Sequence, residues 1–137
     1  RGLSAAFRQW RADSHCRFLH GYSLEFEFEF GANKLDEKNW VVDFGGLKGL
    51  ESWLRENFDH KTLVASDDPA LPEFKMLSDN DIIDMVIVDA TGAEMFAKMA
   101  MDYSSKMIEE IYGDRCWVEC VTVREHGSNS AKCKKQI

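Results

Sequence analysis

A thiol and two imidazoles fall close together near the start of the chain, as His15, Cys16 and His20. A thiol beside an imidazole can be held as a thiolate, which makes it a base or a nucleophile. The alternative for Cys16 is an inert, small apolar residue. Asp59-His60 joins a carboxylate to a second imidazole. A carboxylate that hydrogen-bonds an imidazole fixes its tautomer and raises its basicity, although adjacent Asp-His pairs also arise by chance. Glu125, with His126 beside it, ends an apolar run. A carboxylate there could grip an amidine-like edge of a heterocycle bidentately, as carboxylates grip guanidinium, or it could be a solvated acid. Glu94 falls in the first turn of a helical stretch, where the helix dipole accounts for it.

The elements that must hold these groups can be read from periodicity. Leu24, Phe26, Phe28 and Phe30 alternate with Glu25, Glu27 and Glu29, which predicts a strand over 22–30 with one apolar and one carboxylate face. Residues 1–9 read as a partial strand before a polar loop. Leu47, Leu50, Leu54 and Phe58 recur at helical spacing, so a helix ends just before Asp59-His60. Pro69 and Pro72 mark residues 65–73 as a surface loop, and 82–88 as a short β-branched strand. A second helix is expected over 93–112, with Phe96, Met99, Ala100, Tyr103, Met107 and Ile111 inward and Gly113 as its stop. A last strand, 117–124, delivers Glu125. The order predicts an α+β fold, an antiparallel sheet with two helices on one face. The glutamate face is then left to water or to a neighbouring subunit.

Composition bounds the partners. At 137 residues the chain is one domain, 1–137. A net charge of -7 argues against a nucleic-acid partner, because a phosphate backbone needs a basic stripe. No apolar run approaches the length of a membrane span, and the first residues lack the apolar core of a signal peptide. The four cysteines, 16, 116, 120 and 133, form no CxxC pair. They read as reduced thiols of a cytoplasmic protein, with Cys116 and Cys120 on one face of a strand.

Ser4-Ala5-Ala6-Phe7-Arg8, Cys16-Arg17-Phe18-Leu19-His20-Gly21-Tyr22, Val42-Asp43-Phe44, Asp59-His60 and Glu125 stand in an order and spacing that resembles the 6-pyruvoyltetrahydropterin and 6-carboxytetrahydropterin synthase family. The resemblance implies a tunnelling fold: an antiparallel four-stranded sheet with two helices, three subunits closing a β-barrel, and two trimers stacked as a hexamer. It implies active sites between subunits and a substrate of the dihydroneopterin triphosphate type, in biopterin-like or deazapurine (queuosine) synthesis. By the same resemblance, Cys16 is the proton-abstracting thiolate, Asp59 and His60 its acid/base partners, and Glu125 the anchor of the pterin ring.

One departure is as informative as the match. Members of the family bind zinc through three histidines, one in a Ser-Ala-Ala-His-type strand and two in His-Gly-His. The latter pair, two apart on a strand, points to one side, as a metal requires. Here Phe7 and Tyr22 stand at the first and last positions and only His20 remains. A phenyl cannot ligate and a neutral phenol is a poor ligand. The zinc site is therefore expected to be absent and no other cofactor is implied. His15, Cys16, His20 and His126 have the chemistry for a rebuilt site, but their spacing matches none. The expected function is a carbon–oxygen or carbon–carbon lyase on a reduced pterin, working by Cys/Asp/His acid-base chemistry. The alternative is a hexameric pterin or purine binder without turnover.

Overall fold

Alternation builds the middle of the sheet, as the pattern of Phe and Glu requires. The computed structural model describes residues 2–126 and 129–136. Its strands are β1 (Leu3–Phe7), β2 (His20–Ala32), β3 (Lys61–Ala65), β4 (Met85–Val88), β5 (Cys116–His126) and β6 (Asn129–Lys134). Its α-helices are α1 (Lys48–Phe58), α2 (Leu71–Asp79) and α3 (Ala93–Tyr112). Along β2, Leu24 is buried and Phe26, Phe28 and Phe30 pack against the core, while Glu25, Glu27 and Glu29 are exposed. Fully burying a side chain of this size contributes about 1.5–3 kcal/mol, so Leu24 supplies that and each half-buried phenylalanine less.

The sheet has six strands in the order β4-β3-β1-β2-β5-β6. β1-β2, β2-β5 and β5-β6 pair antiparallel, whereas β3 pairs parallel with both β1 and β4. The expected four-stranded antiparallel sheet with two helices is thus corrected to a mixed six-stranded sheet with three helices among the described residues. The α+β class stands. β3 carries no alternation because Thr62, Leu63, Val64 and Ala65 are all buried, as happens for a strand in parallel pairing covered on both sides. The expected loop 65–73 gives way at Leu71 to α2, whose Pro72 lies in the first turn, where a missing N–H costs nothing. β6 is polar and exposed at alternate positions, so it lacked an apolar signature.

α3 has the expected limits, but its buried face is rotated. Ala97, Met101, Ser104 and Ile108 are inward with Phe96 and Ala100, while Tyr103 and Ile111 are exposed. The buried Ser104 hydroxyl donates to the Ala100 carbonyl at 2.6 Å, so a polar residue satisfies itself on the core face. No helix among the described residues is long and apolar enough to cross a membrane.

A bulge in β5 corrects the reading of the cysteines. Phe30 pairs with Val118 and Glu29 with Cys120, leaving Glu119 as an extra residue. Cys116, Val118, Val121 and Val123 therefore join the core beneath the helices, while Cys120 shares the glutamate face with Thr122. Cys116 and Cys120 lie on opposite sides of the sheet. All four thiols are free, and burial pushes those of Cys116 and Cys133 up.

Candidate active site

Cys16 sits in a 3₁₀ turn, His15–Arg17, that follows β1. The Ser14 hydroxyl accepts from the Cys16 amide at 3.3 Å, and Gln9 N–H donates to the Cys16 carbonyl at 2.9 Å. Arg8 fastens the same turn, donating to the Arg17 carbonyl at 3.3 Å. Its guanidinium is itself held bidentately by Asp68, with Nε to Oδ2 at 2.8 Å and Nη2 to Oδ1. The Asp68 side chain is only 1% exposed, and the Arg8 hydrogen bond holds its carboxyl below the usual carboxylate range against the opposing effect of burial. Sixty positions separate this pair, so nothing local in the sequence announces it.

His20 opens β2 opposite Phe7. Its Nδ1 lies 2.8 Å from the Phe18 carbonyl, which can only accept, so Nδ1 carries the proton and Nε2 is the free acceptor. The His15 ring stands edge-on to it at 5.8 Å. Two residues along, Tyr22 projects to the same side of the strand and stacks on Phe7, with centroids 4.3 Å apart and planes at 17°. Phe7 is fully buried and meets Phe96 of α3 edge-on at 5.0 Å. The Tyr22 phenol is pushed up chiefly by burial, then by the negative charges of Glu125 and Cys16. The thiol and the strand-end carboxylate therefore converge on one phenol, although they are far apart in sequence.

Glu125 reaches the N-terminus of α3, where its Oε1 accepts from Ala93 N–H at 3.3 Å. A helix N-terminus is a favourable place for a carboxylate. Gly92, just before the helix, has φ of 118°, in a region open only to glycine at little cost, and the Gln9 side chain lies close against it. The Thr91 hydroxyl donates to the Arg8 carbonyl at 2.6 Å, tying this corner back to β1.

Asp59 and His60 are placed elsewhere. Asp59 Oδ1 accepts from the Ser4 amide at 3.0 Å, and His60 N–H donates to the Ser4 carbonyl. Cys16 is tied instead to Gln9, so at about 3.3 Å per residue the two groups lie on the order of 15 Å apart along β1. Within the chain Gln9 links the Cys16 turn to Gly92 at the start of α3, where Glu125 is held, and Asp59-His60 stays apart. The Asp59 carboxylate is 3.7 Å from His60 Nε2, beyond hydrogen-bond range, and 3.7 Å from Arg55 Nη1. The His60 side chain is 82% exposed on a left-handed backbone with φ of 60°. It points to water with no wall of its own chain around it.

A model of the family described as 6-pyruvoyl tetrahydropterin synthase matches residues 1–136. The chain belongs to this family. Among its relatives, a 6-carboxy-5,6,7,8-tetrahydropterin synthase of Rickettsia conorii is 44% identical over 67 residues, 48% of this chain and 49% of that one. One from Aquifex aeolicus is 31% identical over 111 residues, 80% of this chain and 68% of that one. The matched stretch thus spans about half the length, or less, of the Rickettsia relatives. An uncharacterised protein of Wolinella succinogenes superposes with a TM-score of 0.86 at 17% identity, covering 98% of this chain and 94% of that one. The 6-pyruvoyl tetrahydropterin synthase of Plasmodium vivax gives 0.69 at 16%, covering 99% and 92%. At such identities the likeness carries the fold alone.

Against the zinc pattern that the family resemblance implied, the donor set does not fit. One imidazole, His20, stands beside a phenol that is itself stacked on a buried phenyl. Among the described residues no group of three or more His, Cys, Asp or Glu side chains is placed to hold a metal ion.

Proposed function

We propose that this member of the 6-pyruvoyl tetrahydropterin synthase family is a lyase acting on a reduced pterin of the dihydroneopterin triphosphate type, close in role to 6-carboxytetrahydropterin synthase. The bond broken is carbon–oxygen or carbon–carbon. The observation that carries the reading is that Gln9, whose N–H holds the Cys16 carbonyl, lies against Gly92, next to the Ala93 amide from which Glu125 accepts. Glu125 holds the amidine-like edge of the ring. Cys16, as thiolate, removes a proton from the side-chain carbon. Asp59 and His60 serve as the acid/base partners.

Because His60 is exposed at the Ser4 end of β1, far from its own Cys16, the partners are drawn from another copy. Three copies closing a barrel, and two such trimers forming a hexamer, would bring an exposed His60 to a neighbour's thiol. The exposed glutamates of β2, with Glu27 paired to Arg124, would then line the lumen. The site operates without zinc, since Phe7 and Tyr22 offer no imidazole. We place the protein in the cytoplasm, with no nucleic-acid partner. The names of the curated relatives support the substrate class.

The second reading is a hexameric pterin or purine binder without turnover, favoured by the lack of an imidazole set for a Lewis acid. Incubation with dihydroneopterin triphosphate, following release of triphosphate or aldehyde, separates the two. The lyase reading expects product from wild type and none from Cys16→Ala. Equal product from both would remove it. Glu125→Ala abolishes pterin binding under either reading, and unchanged affinity would mean that the ring anchor is misassigned.

A further inference from the structure

Tyr22 has the marks of a ligand-facing group. One face of its ring is stacked on Phe7, and the His20 ring stands 6.4 Å away. Phe7 is in turn wedged against Phe96, which is buried in α3. Among the described residues none hydrogen-bonds to the Tyr22 hydroxyl. A half-buried phenol whose ring is stacked in place and whose solvent-reached O–H meets no protein partner among the described residues is free to donate to a bound ligand. Around it are the thiol of Cys16 and the carboxylate of Glu125. A heterocycle gripped by Glu125, with its reacting carbon at Cys16, places the substituent between them beside this hydroxyl.

We propose that the Tyr22 hydroxyl donates a hydrogen bond to an oxygen on the C6 side chain of the bound pterin, polarising the carbon–oxygen group next to the carbon that loses its proton. The assignment rests on the pterin reading above and deepens it. It gives the phenol the electrophilic role for which this site offers no set of imidazoles. The carbon-bound proton passes to the Cys16 thiolate, and the electron pair left on carbon moves into the adjacent C6=N5 bond of the dihydropterin. N5 takes a proton from water, and the phenolic proton stays on its own oxygen. A donor fixed before the substrate arrives costs no reorganisation during the reaction.

Tyr22→Phe tests this cleanly, because the stack on Phe7 survives and a single oxygen is lost. Affinities are measured for 7,8-dihydroneopterin, which carries hydroxyls on C6, and for 7,8-dihydropterin, which has no side chain there. Wild type is expected to prefer the substituted pterin. Tyr22→Phe is expected to lose about tenfold in affinity for it while binding the unsubstituted ring unchanged, the effect of one hydrogen bond. Equal weakening for both pterins would show a packing role and overturn the assignment. So would a preference that persists in Tyr22→Phe, or none in wild type. If wild type binds neither pterin, the pterin reading itself falls and takes this assignment with it, a result distinct from the other failures.

Discussion

The Tyr22 ring lies parallel to Phe7 at 4.3 Å, where two metal-binding side chains were the expectation of the family pattern. Such a pair is worth about 0.5–1.5 kcal/mol beyond its buried area. Phe7→His alone would bury an imidazole under Phe96 and is expected to lower stability by about 2 kcal/mol, read from a urea midpoint. Phe7→His combined with Tyr22→His places three imidazoles at 7, 20 and 22. That variant should retain about one zinc per chain after dialysis, and wild type far less. Stoichiometric zinc in the wild-type protein would contradict the loss of the site.

Asp68 and Arg8 give an acid-sensitive clasp. The Asp68 carboxyl titrates below its unfolded value of about 3.9, so its stabilising effect is complete above that pH and fades as pH falls through the lower, folded value. Asp68→Asn should cost about 3 kcal/mol at pH 7, since it leaves a largely buried guanidinium unpaired. The gap between wild type and variant should hold constant from neutral pH to about pH 5 and shrink below about pH 4. A gap unchanged at pH 3 would show that the charge contributes nothing.

A shared site predicts complementation. Cys16→Ala and His60→Ala should each be inactive alone. Co-expressed, they should regain about a quarter of wild-type turnover, because random mixing leaves that fraction of the junctions with both groups intact. No recovery in mixed oligomers would place both groups in one subunit.

Gly92→Ala should lower the melting temperature, since φ of 118° is strained for alanine by about 1–2 kcal/mol. The start of α3 carries the amide that Glu125 accepts from, so pterin affinity should fall as well. A variant that melts early but binds normally would separate the backbone bend from the ring anchor.

Candidate residues were easier to pick out from the sequence than the elements around them. Cys16, Asp59, His60 and Glu125 could be singled out because thiols, imidazoles and carboxylates announce themselves by type. β2 could be drawn because its Phe and Glu alternate without a break. β3 and β6 had no such rhythm, one being buried throughout and the other half polar. The Arg8–Asp68 clasp joins residues sixty apart, and tertiary pairing of that range leaves no local trace. Separation of His60 from Cys16 follows from strand register, since Lys61 pairs with Ala5 and Leu63 with Phe7. That register exists only once the sheet has formed.

Glu119 has a consequence far larger than its own exposed side chain. As the odd residue in β5, it inverts the phase of everything after it, so that Val121, Val123 and then Glu125 look toward α3. Delete it, and a continuous ladder would turn the distal half of that strand over. The carboxylate would then emerge among the glutamates on the far side, with the whole thickness of the sheet between it and the thiol.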